Sequence, residues 1–491
     1  MSAFDALKDH LRQTAALEQV MGRLGWDQET MMPRGAAEQR AEEMAALEAV
    51  LHARRTDARM GDWLEAAEPP DEAGAAILRH ARRTYERHRR VPADLATALA
   101  RETSRAQGIW AEARARDEPA HFLPALRKVL ALRRDEAQAL ADEGTDPYDA
   151  LLAHFEPGMK AARIAALFDR LRPALLELRD AVLGAPCQPA PIKGHFPREA
   201  QLRLARLLGE RFGYDFARGR LDLAVHPFSS GSGDDVRITT RIDENDPVNC
   251  LFSTIHELGH AVYEQGVDPA HALTPLGQGA SMGVHESQAR LFENQIGRSR
   301  AFAGWLFGAM EAEFGEFGCP DADAFHGALN RVHPGHIRTE SDELHYNLHI
   351  MLRFDLERAL VAGDLLPEDL EAAWNERFEG DFGLKVDRPS HGFLQDVHWS
   401  VGLFGYFPTY TLGNVHAGCL MQALRADLPD LDSALAEGDV CPALDWLRER
   451  LHRHGALRDG QDSIAHACGF PPDEGPLITY LRERLGMLYR L

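Results

Sequence analysis

Cysteine is sparse in this chain. Its six cysteines (Cys187, Cys250, Cys319, Cys419, Cys441 and Cys468) are scattered, with no C-x-x-C pair. That usage argues against a disulfide framework and against a cysteine zinc cluster, and fits reduced thiols in a cytoplasm. No run of 18 apolar residues exists, so no bilayer-spanning helix is expected. The first residues carry Asp5, Lys8, Asp9 and Arg12 where a signal peptide needs an unbroken apolar core, so no secretion signal is expected there. Positive charge is also short. Fifty-four Lys+Arg face 76 Asp+Glu, a formal net charge of −22 over 491 residues. Such a balance repels phosphate backbones and disfavours a nucleic-acid partner. Internal repeats at a fixed period and low-complexity tracts are absent too.

What is present is the make-up of a globular protein with a sizeable core, 45% hydrophobic and 26% charged, which excludes wholesale disorder. Residues 1–184 are rich in Ala, Leu, Glu and Arg and read as almost all helix. The series Ile164, Leu167, Phe168, Leu171, Leu175, Leu178, Val182 makes one helical stripe, which Pro173 should kink or split into two helices. Ala185–Pro197 is a Pro-rich connector. Arg220–Phe228 and Asp235–Asp243 alternate apolar and polar residues around SSGSG and predict a hairpin or a small sheet. Helical periodicity then resumes to the C-terminus. The expected fold is mainly α, a single domain over 1–491. A helical part spans 1–184, a connector and small sheet near the active centre span 185–245, and a helical catalytic part spans 246–491.

The segment 246–266, DPVNCLFSTIHELGHAVYEQG, carries the chemistry. Asp246 suits an N-cap, Pro247 the first helical position and Gly266 the C′ position. Within that helix lie His256, Glu257 and His260 as H-E-x-x-H. At this spacing both imidazoles leave one helix face a turn apart and can reach one Zn²⁺ at about 2.0–2.1 Å. Glu257 points elsewhere but can reach a water on the metal, as a general base must. A random chain of this composition offers roughly 0.1 such matches, so composition alone does not supply it. Gly259, inside a helix at a cost of about 1 kcal/mol, points to close packing there. A catalytic site needs a third ligand and an open position. Glu286 and His285, in GVHESQAR, both lie within reach of a second helix, Glu286 standing 26 residues beyond His260. His345 and His349 share the i, i+4 spacing without an adjacent Glu, and read as structural.

These motifs and several others resemble the carboxypeptidase Taq family of metallocarboxypeptidases. The resemblance takes in WDQETMMP at 26–33, HPF at 226–228, HELGH at 256–260, HESQ at 285–288, IRTESD at 337–342, GFLQDVHW at 392–399 and GYFPTYTLGN at 405–414. They stand in the family's order and cover nearly the whole chain. Ser341, where the family usually has Ala, is a small-for-small departure. The resemblance implies a large helical two-lobed body with a deep active-site groove, similar to the angiotensin-converting-enzyme architecture. It implies removal of single residues from peptide C-termini, a divalent metal (zinc, with cobalt able to serve) and a homodimer. Residue by residue it implies His256, His260 and Glu286 as metal ligands, which selects Glu286 over His285, and Glu257 as the catalytic carboxylate.

The expected chemistry is attack of an activated water on the scissile carbonyl, with Glu257 taking the proton and passing it to the leaving amine. His398, Tyr406 and Tyr410 are candidate donors to the oxyanion, each tyrosine being equally readable as a core aromatic. A free C-terminal carboxylate needs a local cation in so acidic a protein. Arg338 is the leading candidate, since its planar fork matches a carboxylate. The competing reading pairs it with Glu340, Asp342 or another acid. Arg353 and Arg290 are weaker choices. Asp396 and Glu340 are possible acceptors for the ligand histidines' second N–H. Thr239–Thr240 offers either a sheet edge to a peptide or a buried brace. Two rival functions remain at this point: a zinc endopeptidase or dipeptidyl carboxypeptidase on the same helices, and a non-catalytic metal-stabilised scaffold.

Overall fold

The computed structural model describes residues 2–142 and 144–491. About 70% of the chain is helical, and the one sheet among the described residues has three strands. The mainly α class is therefore as the periodicity predicts. Ala161–Gly184 is a single helix that runs through Pro173, burying Ile164, Phe168, Leu171, Leu175, Leu178 and Val182 along one stripe. No described helix is long and apolar enough to cross a membrane.

The chain forms two compact units, each built from three stretches. Unit 1 comprises Met1–His88, Pro189–Leu329 and His416–Pro472, and unit 2 comprises Arg89–Gln188, Asn330–Val415 and Asp473–Leu491.

The core of unit 1 surrounds the helix Pro247–Gly266. Leu251, Ile255, Leu258 and Val262 repeat at helical spacing and are fully buried. They share a cluster with Phe212, whose ring lies 5.2 Å from Phe292 and 5.4 Å from Phe302. The sheet comprises strands β1 (Gly219–Leu223), β2 (Ser229–Ser232) and β3 (Asp235–Thr240), and packs on the same helix through β2 and β3. β3 is central. It runs parallel to β1, with Leu221 opposite Ile238, and antiparallel to β2, with Ser230 opposite Arg237. The SSGSG run is thus mostly strand rather than turn. The reversal falls at Gly233, whose φ of +65° is the left-handed backbone a tight hairpin needs. Because β3 has a neighbour on both sides, Thr239 and Thr240 present no free edge. Both are buried, Thr239 Oγ1 donating to the Phe228 carbonyl (3.1 Å) and Thr240 Oγ1 to the Cys250 carbonyl (3.0 Å). They form the brace.

Unit 2 centres on the helix Glu343–Ala362. Asp342 caps it by accepting from the N–H groups of Leu344 and His345, and Gly363 ends it with a φ of +91°. Every residue from Leu344 to Phe354 is buried, so the helix is enclosed on all sides and its polar side chains need partners inside the unit. Beside it Phe378 and Phe382 stack with centroids 4.2 Å apart.

Candidate metal centre

The helix Pro247–Gly266 starts as its sequence predicts. Asp246 accepts from the Val248 and Asn249 N–H groups, and Pro247 occupies the first helical position. Its end differs. Gly266 is the last helical residue rather than the C′ residue, and the chain leaves through Val267 in extended conformation. Packing explains the glycine, since a Cβ there would meet His452 Cβ at 2.8 Å. Gly259 has the close neighbour its sequence position calls for. A Cβ on it would stand 2.5 Å from both Ala289 Cα and the Gln288 carbonyl oxygen, on the helix Met282–Arg290. That second helix is capped by Ser281, whose side chain accepts from the Val284 N–H. It continues into a π-helical stretch, Leu291–Gly297.

The close approach at Gly259 delivers Glu286 to the two histidines. Nε2 of His256 and Nε2 of His260 lie 3.8 Å and 3.7 Å from Glu286 Oε2. All three donor atoms fall within 4.8 Å of one another. Two ligands each about 2.1 Å from one ion can stand up to about 4.2 Å apart, so both imidazole–carboxylate spacings admit a single shared cation. The other ring nitrogens are turned away and engaged. His256 Nδ1 lies 2.9 Å from Glu293 Oε2, and His260 Nδ1 lies 2.6 Å from His285 Nδ1. Arg290 braces both acids, its Nε donating to Glu286 Oε1 (2.7 Å) and an Nη to Glu293 Oε2 (3.3 Å). The donor chemistry and orientation fit a divalent metal, with His285 standing behind His260 rather than among the donors.

The electrostatics agree. Burial pushes the Glu257 carboxyl up to about 7; His256 opposes this and Glu286 adds to it. Burial, then the neighbouring His285 and His256, hold His260 well below its ordinary value, so its imidazole is neutral. For His256 burial works downward, but the Glu286 carboxylate and the Glu293 hydrogen bond outweigh it and raise the value. Burial works upward on Glu293, yet the His256 hydrogen bond and the Arg290 charge bring it down to about 2.

Glu293 is a site residue that the sequence reading missed. It stands seven residues after Glu286, two turns along the same face, and that spacing was the available signal. Neither Asp396 nor Glu340 partners a ligand histidine. Glu340 is exposed, and Asp396 is committed to arginines in unit 2.

The remaining sequence candidates gather within unit 2. Asp396 Oδ1 accepts from Nε (3.0 Å) and Nη2 (2.8 Å) of Arg338, while Oδ2 accepts from Arg353 Nε (2.7 Å). Arg338 Nη1 donates to the Tyr346 hydroxyl at 3.0 Å, and its guanidinium lies 5.0 Å from the Tyr410 ring centroid. Arg338 therefore does pair with an acid, Asp396, but these bonds use three of the five N–H groups of its fork. Arg353 is fully buried, which removes it as a substrate cation. Arg290 is committed to Glu286 and Glu293. His398 Nε2 lies 3.3 Å from the Tyr410 hydroxyl, and the Tyr406 ring lies 5.3 Å from that of Tyr410. Burial brings His398 down to about 3, against the pull of Asp396, leaving a neutral imidazole.

His345 and His349 are structural. His345 Nδ1 lies 2.7 Å from Asp342 Oδ2, and His349 packs on Phe382 with centroids 4.4 Å apart. His336, Asp387 and His391 also cluster in unit 2. There His391 Nδ1 is 2.7 Å from Asp387 and its Nε2 is 2.7 Å from the Arg388 guanidinium, which blocks a cation.

Comparison with known proteins matches residues 6–485 to the family model described as Carboxypeptidase Taq (M32) metallopeptidase. Thermostable carboxypeptidase 1 of Thermus thermophilus is 42% identical, covering 99% of both chains, and carboxypeptidase 1 of Bacillus subtilis is 36% identical, covering 99% of this chain and 98% of that one. The crystal structure of an M32 carboxypeptidase from Deinococcus radiodurans superposes with a TM-score of 0.96 at 39% identity, covering all of both chains.

Proposed function

This chain belongs to the carboxypeptidase Taq (M32) metallopeptidase family and is a metal-dependent carboxypeptidase, and on that premise we propose that His256, His260 and Glu286 hold its metal and that Glu257 moves its protons. The observation that carries the assignment is the convergence of two Nε2 atoms and one carboxylate oxygen on one point, with every opposite ring nitrogen already engaged. Zinc suits two imidazoles and a carboxylate, and cobalt accepts the same set. A divalent cation bound there supplies Lewis acidity to a water and to the scissile carbonyl.

The side chains do the rest. Glu257 is buried beside His256, and a carboxyl near 7 is balanced to take a proton from the attacking water and return it to the leaving amine. The neutral His398, with Tyr410 and Tyr406 beside it, is the proposed source of donors to the oxyanion. Arg338 is proposed to hold the substrate's terminal carboxylate through its two uncommitted N–H groups, with Asp396 fixing the plane of its fork.

The substrate is then a peptide with a free C-terminus, shortened by one residue per turnover. A homodimer is proposed on family resemblance. A cytoplasmic location is proposed with support from the few, scattered cysteines of the sequence, which form no C-x-x-C pair. The test compares a short peptide with its C-terminally amidated counterpart. Release of the terminal residue from the free acid alone is expected; equal cleavage of both overturns the carboxylate-recognition assignment and points to an endopeptidase.

A further inference from the structure

The two ligand histidines are held in different ways. His256 meets a carboxylate directly, at Glu293. His260 meets another imidazole, and only beyond it a carboxylate: His285 Nδ1 lies 2.6 Å from His260 Nδ1, and His285 Nε2 lies 2.9 Å from Glu264 Oε1. Glu264 is buried, only 6% exposed, and His285 is half-buried with its ring 4.6 Å from that of His260. The loop before the second helix is shaped around them. The Gly279 N–H donates to the same Glu264 Oε1 at 2.9 Å, and a Cβ on Gly279 would meet His285 Cδ2 at 2.7 Å. The neighbouring Ala280 N–H donates to the Tyr263 hydroxyl (3.1 Å), locking the loop in place.

We propose that His285 and Glu264 are positioning residues that fix the tautomer and ring orientation of His260 for metal binding. This rests on the reading of His260 Nε2 as a metal ligand. A ligand imidazole is neutral and carries its proton on the opposite nitrogen. His260 Nδ1 then donates to His285 Nδ1, which must accept and so bears its own proton on Nε2. That proton is donated to Glu264 Oε1. Every hydrogen bond in the chain has one direction, and the carboxylate at its end strengthens the donor ability of each ring before it.

Metal affinity, measured by competition with a chromogenic chelator, and the visible spectrum of the cobalt-loaded protein test this. His285→Leu removes the acceptor and is expected to weaken metal binding about 10- to 100-fold and to change the cobalt spectrum. His285→Asn places an amide oxygen near the former Nδ1 and is expected to recover most of the affinity. The isosteric Glu264→Gln is expected to weaken binding several-fold without lowering the melting temperature of the metal-free protein. Unchanged affinity and an unchanged cobalt spectrum in both His285→Leu and Glu264→Gln overturn the proposal, as does a fall in metal-free stability with affinity intact. His260→Ala separates the two levels: if that variant keeps its metal, the ligand assignment itself is wrong.

Discussion

Gly259 and Ala289 are pressed together so closely that a single methyl group on the first would stand 2.5 Å from Cα of the second. The approach joins the helix bearing His256 and His260 to the helix bearing Glu286, so the ligand set depends on the missing side chain. Gly259→Ala raises intrinsic helix propensity by about 1 kcal/mol. It also forces two backbones apart, and overpacking of this kind costs roughly 1–3 kcal/mol. The expected outcome is a net loss of thermal stability and at least a tenfold loss of metal affinity. A variant that melts higher and binds metal normally would show that the helices are free to separate without cost to the site.

Glu257 is the group on which catalysis, as distinct from metal binding, should turn. Glu257→Gln keeps the shape and removes the base. Metal stoichiometry is expected to stay at the parent's level while kcat falls about 10²- to 10⁴-fold, the usual contribution of a general acid–base. Metal analysis alongside steady-state rates reads both quantities. Normal turnover in this variant would sink the assigned role.

For Arg338 the expected signature is specificity. A charge-assisted hydrogen bond is worth about 1.5–3 kcal/mol. Arg338→Gln should therefore lower kcat/KM for a free-acid peptide about 10- to 100-fold, mostly through KM. Asp396 keeps its bonds to Arg353, so the variant should fold with a modest drop in melting temperature. An unchanged KM would assign Arg338 to the Asp396 ion pair alone.

The sequence carried the mainly α class and the capped HELGH helix, because these follow from periodicity and short fixed spacings; the third proposed ligand, Glu286, is selected over its neighbour His285 by family resemblance and not by spacing. It carried the reason for Gly259 as well, since an unfavoured residue in mid-helix needs a packing partner. What it did not reveal depends on contacts remote in the chain. The partner of His256 is Glu293, 37 residues away and reached through a π-helical stretch. The strand order places β3 in the middle, which turned the Thr239–Thr240 segment from a possible edge into a brace. Gly266 reads as a helix stop until His452, almost 200 residues on, occupies the space beside it. Asp396 reads as a histidine partner until two buried arginines claim both of its oxygens.

Glu357 offers a test of the unit 2 core that is independent of catalysis. It is fully buried, accepting from the Gly405 N–H on Oε1 (2.7 Å) and the Tyr148 hydroxyl on Oε2 (3.2 Å). Burial outweighs these bonds and pushes its carboxyl up from 4.5 to about 8. In the folded protein it is therefore neutral up to about pH 8, whereas in the unfolded chain it ionises near pH 4.5. Between those values the unfolded state holds fewer protons, so this group's contribution to stability is intact below the lower pKa and is lost as pH rises through the upper one. Glu357→Gln reproduces the neutral acid and cannot ionise. Its stability relative to the parent should grow steadily from about pH 5 to pH 8, by on the order of a few kcal/mol, and level off above. Chemical denaturation at a series of pH values measures the difference directly, and because every other titrating group is common to both proteins, parallel curves would mean that Glu357 is already ionised in the folded core.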